Sequence, residues 1–273
     1  METKLINVRE LLRSKLKGKA DRIPSFAVNY LTRLIHQDEI NDILTRYSEL
    51  QGVDFMQALV EDYFRVKLIV ENDLPAADGR RYIFVSNHPL GGFDGICLSY
   101  LLGRHFGGQV KCFVNDLLLH IPNLRSIFLP VNKHGLQSRE TAMITEEAYS
   151  SDNQILTFPA GLCSRRQGGL IRDLEWKKSF VQKAVKHQRD VVPIYFGGSN
   201  SSFFYGLANF RKLVRMKINL EMLLLPHELF KLKDKTFEII IGKPVSYELF
   251  ASGGQHVEWA SKMRTTVYEL GKK

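Results

Sequence analysis

The stretch YIFVSNHPLGGFDG, residues 82–95, joins two kinds of sequence pattern. Its first four residues are aromatic or β-branched, which is typical of a buried strand. The pair Gly91-Gly92 and then Asp94 lead into an apolar segment with helical spacing. The stretch therefore predicts a strand, a turn that carries His88, and a helix, which are successive parts of a parallel α/β sheet.

Strand-like and helix-like segments alternate over the rest of the chain. Apolar runs predict strands at 66–70, 110–114, 155–158, 191–196 and 237–241. Helical spacing predicts helices at 95–102, 139–149, 175–186 and the C-terminus. This alternation predicts an α/β fold with a mainly parallel sheet flanked by helices. In such folds, sites gather at the carboxyl ends of strands, where His88 and the turn after 155–158 both fall.

The first 66 residues have a different pattern, with apolar residues at helical spacing among many basic ones. A row of leucine and valine side chains from Leu5 to Leu16 shares one helical face, and Pro24-Ser25 opens a second helix. We therefore predict two regions. Residues 1–66 form an N-terminal helical region that is a candidate for membrane docking, and residues 67–273 form the α/β domain.

The composition narrows the class of protein. The 273 residues have a formal net charge of +9, which favours acidic partners such as anionic lipid, an acidic protein or nucleic acid. No nucleic-acid-binding module is recognisable, so nucleic acid is not an expected partner. No apolar run approaches the ~18 residues of a spanning helix, and the N-terminus lacks the apolar core of a secretory signal. A cytosolic or peripheral membrane protein is expected.

Three cysteines, Cys97, Cys112 and Cys163, are odd in number and lack any metal-ligand spacing. This pattern indicates a reducing compartment, with neither a disulfide framework nor a structural zinc site. We expect no metal and no redox cofactor. Cys163 is a candidate nucleophile for pairing with His88, and a small packing residue is the simpler interpretation.

His88 and Asp94 are the residue types of a general base and its orienting carboxylate. A neutral imidazole takes a proton from a hydroxyl, and a carboxylate on its other nitrogen fixes the tautomer and stabilises the imidazolium. Because no GxSxG elbow is present, we expect a substrate hydroxyl to be the attacking group. On spacing alone, the alternative interpretation is a turn histidine followed by a helix-capping aspartate.

Three basic residues near predicted strands are candidate anion contacts. Arg165 follows the turn in FPAGLCSRR, Lys133 ends FLPVNK, and Lys111 begins KCFVND. Arginine in particular binds phosphate and carboxylate bidentately. The alternative interpretation for all three is a solvated surface cation.

The four blocks NHPLGGFD, FLPVNK, FPAGLCSR and VVPIYF have the order and rough spacing of those in PlsC-like glycerolipid acyltransferases. The chain resembles that family over about residues 80–245. The resemblance implies the PlsC-like fold, with His88 as general base and Asp94 as its partner. It also implies that the acceptor's head group is bound by Lys133, Arg165 and the turn residues Phe158, Pro159 and Gly161.

Two departures from the family pattern bear on the acceptor. The family spacing is HxxxxD, whereas five residues separate His88 from Asp94, and the usual glutamate of FPEG is Ala160. Both forms resemble the branch of lyso-ornithine-lipid acyltransferases that are often labelled hemolysins. The loss of a carboxylate beside the head-group site favours a lyso-aminolipid, either a glycine or an ornithine lipid, over lysophosphatidate.

The resemblance thus predicts an O-acyltransferase of membrane lipid biosynthesis. Its expected partners are acyl-ACP or acyl-CoA as donor, a lysolipid acceptor and an anionic membrane surface, at the cytoplasmic face of the inner membrane. Residues 5–16 and 210–225 combine cations with apolar residues and are candidate docking segments; alternatively, both pack on the core. Alternative functions are a lysophosphatidate acyltransferase, an acyl thioesterase or lipid hydrolase, and a non-enzymatic basic binding protein.

Overall fold

A computed structural model describes residues 5–16, 24–114, 118–130, 139–215 and 219–272. Lys133 and the rest of 131–138 lie outside the described residues. The strands are β1 Lys67–Glu71, β2 Tyr82–Ser86, β3 Val110–Val114, β4 Phe128–Pro130, β5 Gln154–Thr157, β6 Arg165–Gln167, β7 Leu170–Arg172, β8 Asp190–Phe196 and β9 Thr236–Ile241.

Helices precede, connect and follow these strands. The α-helices are α1 Val8–Leu16, α2 Ser25–Leu34, α3 Gln37–Arg46, α4 Gly52–Gln57, α5 Phe93–His105, α6 Arg139–Ser150, α7 Ser179–His187, α8 Ser202–Leu213, α9 Leu225–Phe230, α10 Tyr247–Ala251 and α11 His256–Leu270. A π-helix spans Ala58–Tyr63, and short 3₁₀ helices span Leu118–His120, Pro122–Leu124 and Leu220–Leu224. Among the helices described, none is both long and apolar enough to cross a membrane.

Seven strands form one sheet in the order β1-β9-β8-β2-β5-β3-β4. Every neighbouring pair is parallel except β8 and β9, which are antiparallel, so the prediction of a mainly parallel sheet is confirmed. The remaining strands, β6 and β7, form a separate antiparallel hairpin.

The two faces of the sheet carry different helices. On the fully buried strand β2, Tyr82 and Phe84 pack in the core cluster that contains α5, whereas Ile83 and Val85 pack in the cluster that contains α7 and α11. The connections from β2 through α5 to β3 and from β5 through α7 to β8 run in opposite directions along the sheet. The neighbours β2 and β5 therefore form a topological switch point, where open α/β sheets bind ligands.

The N-terminal helices and the sheet share one hydrophobic core. Leu44 of α3, Phe55 of α4 and Val60 of the π-helix are buried in the same cluster as Phe84. Helix α1 contacts α3, where the Gln37 side chain accepts a hydrogen bond from the α1 backbone. The division at residues 66 and 67 remains a prediction.

The docking prediction for 210–225 remains a prediction, and the apolar end of this segment is only partly exposed. Leu224 is buried with Cys163 and Phe204 in a third core cluster, so it does not face solvent. Arg211 lies 3.0 Å from the buried carboxylate of Glu221, so it is not a free surface cation. Exposed apolar side chains lie at Leu223 and along α8, where they include Phe203, Phe210 and Leu213.

Candidate active site

The segment after β2 is anchored to the end of β8. The Asn87 side chain donates a hydrogen bond to the Phe196 carbonyl at 2.8 Å and accepts one from the Phe196 N–H at 2.7 Å. This two-sided bond fixes the point at which the chain leaves the sheet. His88 follows directly, at the carboxyl edge of the sheet.

His88 and Asp94 are in contact although the spacing between them is one residue longer than the family pattern. Asp94 Oδ2 lies 3.0 Å from His88 Nδ1. The intervening turn passes through Gly91 at φ +77°, a backbone conformation that favours glycine. The contact leaves Nε2 as the imidazole nitrogen that can accept a proton.

Asp94 is fully buried and is saturated with hydrogen-bond donors. Backbone N–H groups of Leu90, Gly92 and Gly95 donate to its carboxylate at 2.9, 3.1 and 2.9 Å. Burial opposes ionisation, but the contact with His88 and these N–H groups outweighs it and lowers the pKa of Asp94. The carboxylate is therefore charged and held rigidly against the imidazole.

The surroundings of His88 strengthen it as a base. Burial lowers the pKa of His88, but the charge and hydrogen bond of Asp94, together with the charge of Asp173, outweigh it and raise that pKa. The ring of Phe158 stacks on the imidazole, with ring centroids 4.2 Å apart. The imidazole is thus fixed by one carboxylate and one aromatic face.

Asp173 supports His88 through the backbone. It accepts hydrogen bonds from the His88 N–H at 3.2 Å, from the Ser164 hydroxyl at 2.7 Å and from Trp176 Nε1 at 2.9 Å. The Ser164 N–H donates to the His88 carbonyl at 2.8 Å. Both backbone polar groups of His88 are therefore bonded to the segment that follows β5.

Arg165 is not a free anion contact. It is 2% exposed, and its guanidinium donates to Glu221 at 3.0 Å and to the Cys163 carbonyl at 2.8 Å. Its donors are already used inside the core, so this geometry does not support the predicted contact with the acceptor's head group, which remains a prediction. It links the turn after β5 to the 3₁₀ helix that contains Glu221.

Lys111 also lies in the wrong place for the predicted contact. It stands near the start of β3, and its ammonium donates to the Ser126 carbonyl at 2.5 Å. In a parallel sheet the start of a strand is at the opposite edge from its carboxyl end. Lys111 is therefore remote from the turn that carries His88.

A cavity opens at the carboxyl edge beside His88. Its described lining includes three of the predicted turn residues, Phe158, Pro159 and Gly161, and the start of α5 at Gly92 and Gly95. Apolar side chains complete one side, namely Phe113 and Val114 at the end of β3 and Leu118 after it. Lys177 and Ser179, at the start of α7, line it as well. The cavity therefore joins a base, an apolar wall and a cation.

Cys163 packs in the core. It is 1% exposed, and burial raises the pKa of its thiol to about 11. A thiol with that pKa is protonated near neutral pH and is a poor nucleophile. The interpretation of Cys163 as a packing residue fits this environment.

Two residues at the site were missed by the sequence analysis. Asp173 and Lys177 follow the β6–β7 hairpin, which no strand-like pattern in the sequence indicates. Folding brings Asp173 to His88 and Lys177 to the FPAG turn. The Lys177 N–H donates to the Pro159 carbonyl at 3.1 Å. The acidic and basic residues of IRDLEWKK were the only signal available in the sequence.

The chain is similar to known acyltransferases along almost its whole length. The profile of the Acyltransferase family matches residues 10–272. The lyso-glycine lipid O-acyltransferase of Bacteroides thetaiotaomicron is 46% identical over 97% of this chain and 97% of its own length. The protein of the same name from Phocaeicola vulgatus is 44% identical over 97% of this chain and 95% of its own.

A solved structure has the same fold. The 1-acyl-sn-glycerophosphate (LPA) acyltransferase PlsC from Thermotoga maritima matches with a TM-score of 0.50 and 17% sequence identity. The match covers 89% of this chain and 96% of that one. At this identity the likeness concerns the fold alone.

Proposed function

Because the chain belongs to the PlsC-like glycerolipid acyltransferase family, we propose that it transfers a fatty acyl group from an acyl thioester to the hydroxyl of a lyso-glycine lipid. The observation that carries the proposal is the contact between His88 and the buried, ionised Asp94 at the cavity. Two relatives that are 46% and 44% identical and carry that name support the choice of acceptor.

The proposed reaction uses His88 as the general base. Its Nε2 takes the proton of the acceptor hydroxyl while the oxygen attacks the thioester carbonyl, and Asp94 stabilises the imidazolium that forms. The tetrahedral intermediate then collapses with cleavage of the carbon–sulfur bond. The thiolate leaves with the proton from the imidazolium, so the base is regenerated and an ester is formed.

Among aminolipids, the described lining of the cavity supports the choice of a glycine head group over ornithine. An N-acylated glycine carries one carboxylate, whereas an ornithine lipid carries an additional ammonium group. The described part of the lining contains a lysine and no carboxylate, so the ammonium of ornithine would find no carboxylate partner among these described residues. The free-energy cost of desolvating this ammonium group applies to an ornithine head group and not to a glycine head group.

The acceptor is tested with purified protein. Lyso-glycine lipid, lyso-ornithine lipid and lysophosphatidate are mixed in equal amounts with acyl-CoA or acyl-ACP, and the products are separated by mass spectrometry. We expect the glycine product to dominate. Preferential acylation of lysophosphatidate would support the alternative function and contradict the proposed acceptor.

A thioesterase or lipid hydrolase is the second candidate, with water in place of the acceptor at His88. The buried thiol of Cys163 argues against a cysteine-dependent version. Thioester consumption measured with and without lysolipid separates the two functions. Consumption that depends on the acceptor supports transfer, and equal consumption in both reactions supports hydrolysis.

We further propose an acyl-ACP or acyl-CoA donor and peripheral attachment to the cytoplasmic face of an anionic inner membrane. The net charge of +9 favours all these acidic partners. The exposed Phe203, Phe210 and Leu213 of α8 supply an apolar surface, and Lys212 on the same helix is also exposed. Interfacial binding combines apolar burial with attraction of cations to lipid.

Vesicle co-sedimentation tests this attachment. A variant with Phe203, Phe210 and Leu213 changed to serine should bind anionic vesicles more weakly than wild type. The change Leu249→Ser serves as the control, because Leu249 is an exposed apolar residue on α10, in another part of the chain. Equal binding by the triple variant and wild type would rule out α8 as the docking surface.

A further inference from the structure

The cavity beside His88 has one cationic side chain in the described part of its lining, which is Lys177. The two other described candidates are engaged elsewhere, Arg165 with Glu221 and Lys111 with the Ser126 carbonyl. No carboxylate in the described ranges lies within ion-pair distance of the Lys177 ammonium. An anionic group that enters this cavity therefore meets Lys177.

The Lys177 ammonium is held against the turn that follows β5. A methyl group placed on Gly161 would lie only 3.4 Å from Nζ, so the ammonium lies beside the Cα of that glycine. The Lys177 backbone is bonded to the Pro159 carbonyl at 3.1 Å, which fixes the base of the side chain to the same turn. The next residues begin α7, and Ser179 shares the lining. The start of a helix adds partial positive charge.

We propose that Lys177 forms the subsite for the acceptor's carboxylate and so selects acceptors with an anionic head group. The inference rests on the proposed acylation of a lyso-glycine lipid. In that acceptor, the carboxylate belongs to a small head group on the same molecule as the reacting hydroxyl. Binding of the carboxylate at Lys177 therefore helps to direct the hydroxyl toward His88, which lines the same cavity.

The donor also carries anionic groups, but their position differs. The phosphates of CoA or of a carrier protein are separated from the thioester by the whole pantetheine arm. When the thioester carbonyl is at His88, this arm extends the phosphates toward the outside of the protein. A carboxylate subsite should therefore affect the Michaelis constant for the acceptor and leave that for the donor unchanged.

The test uses Lys177→Met, which removes the charge and keeps an unbranched side chain of similar reach. The control is Lys178→Met, because Lys178 is the exposed neighbour and is absent from the described lining. Each protein is assayed with lyso-glycine lipid and with its methyl ester, which lacks the negative charge. The Michaelis constants for acceptor and donor are measured separately.

We expect Lys177→Met to raise the acceptor KM about tenfold. This is the lower end of the effect expected from the loss of a hydrogen bond to a charged group, because the mouth of the cavity is solvated. The methyl ester should have the same KM with wild type and variant, and Lys177→Arg should recover most of the loss. Equal effects on acid and ester, or an effect on the donor KM instead, would overturn the subsite. If wild type acylates no lyso-glycine lipid at all, the proposed function itself is overturned.

Discussion

The Asp94→Asn substitution probes the site directly, because it preserves the shape of the side chain and removes its charge. In the wild type, Oδ2 accepts from His88 Nδ1 at 3.0 Å and from the Leu90 N–H at 2.9 Å. Oδ1 accepts from the N–H groups of Gly92 and Gly95 at 3.1 and 2.9 Å. Asparagine has one acceptor oxygen and one NH₂ group, so it can accept the hydrogen bonds of either Oδ2 or Oδ1 but not of both.

Either orientation of the amide is unfavourable. With its oxygen toward His88, the NH₂ group faces the N–H groups of half-buried Gly92 and buried Gly95, and both donors lose their acceptor. At about 1–3 kcal/mol for each unsatisfied donor, the free energy of unfolding falls by roughly 2–6 kcal/mol. With the oxygen turned away, the NH₂ group donates to Nδ1, and the imidazole proton moves to Nε2. The base is then lost through the wrong tautomer.

We expect folded Asp94→Asn to lose roughly 10²–10⁴-fold in kcat, as for the loss of general-base catalysis. In the wild type, the charge and hydrogen bond of Asp94 raise the His88 pKa above its ordinary value, so kcat/KM falls as the pH drops through that pKa and the imidazole becomes protonated. Without the Asp94 charge, burial acts to lower the pKa. The acid limb of any residual activity should therefore move to lower pH.

The measurement follows thiol release from acyl-CoA in the presence of lysolipid over a range of pH, with thermal melts of each protein. Asp54→Asn is a matched control, because Asp54 is an exposed aspartate in the first turn of α4. It should leave kcat and the acid limb unchanged. Wild-type kcat and an unshifted acid limb in a well-folded Asp94→Asn protein would refute the reasoning.

Three further predictions concern neighbouring side chains. His88→Ala should lose roughly 10²–10⁴-fold in kcat with an intact fold measured by circular dichroism, and near-normal turnover would exclude His88 as the base. Cys163→Ala should keep most of its acyl transfer activity, since the buried thiol has a pKa of about 11; complete loss in a folded protein would favour a cysteine nucleophile. Asp173→Asn should move the acid limb of kcat/KM to lower pH, because the Asp173 charge helps to raise the His88 pKa. An unchanged pH profile would limit Asp173 to a structural role.

Periodicity predicted the regular parts of the fold. Strand β3 has the predicted bounds, and β2 covers the apolar run before His88, because both are short runs of apolar residues between turns. The helix predicted at 175–186 begins later, at Ser179. There the local pattern was overridden, because the Lys177 N–H is bonded to the Pro159 carbonyl of the turn after β5.

Other features depend on contacts between distant segments and could not be predicted. A proline within a strand is typical of an edge strand or a strand end, yet β8, which contains Pro193, lies between β2 and β9. The proline is accommodated because the ladder to β9 begins at the next residue, Ile194. Likewise, the sequence alone identifies Arg165 as a cation but does not reveal its partner, since Glu221 lies 56 residues away.

The buried position of Arg165 indicates how a cation can influence the reaction without touching the substrate. Its charge lowers the His88 pKa, whereas the charges of Asp94 and Asp173 raise it. General-base catalysis is most efficient when the pKa of the base lies near the working pH. Because Glu221 holds Arg165 in a fixed position, the opposing charges act on His88 from constant distances. Arg165 thus offsets part of the effect of the two carboxylates on the His88 pKa, and under the proposed subsite it is the exposed Lys177 that contacts the acceptor's anionic group.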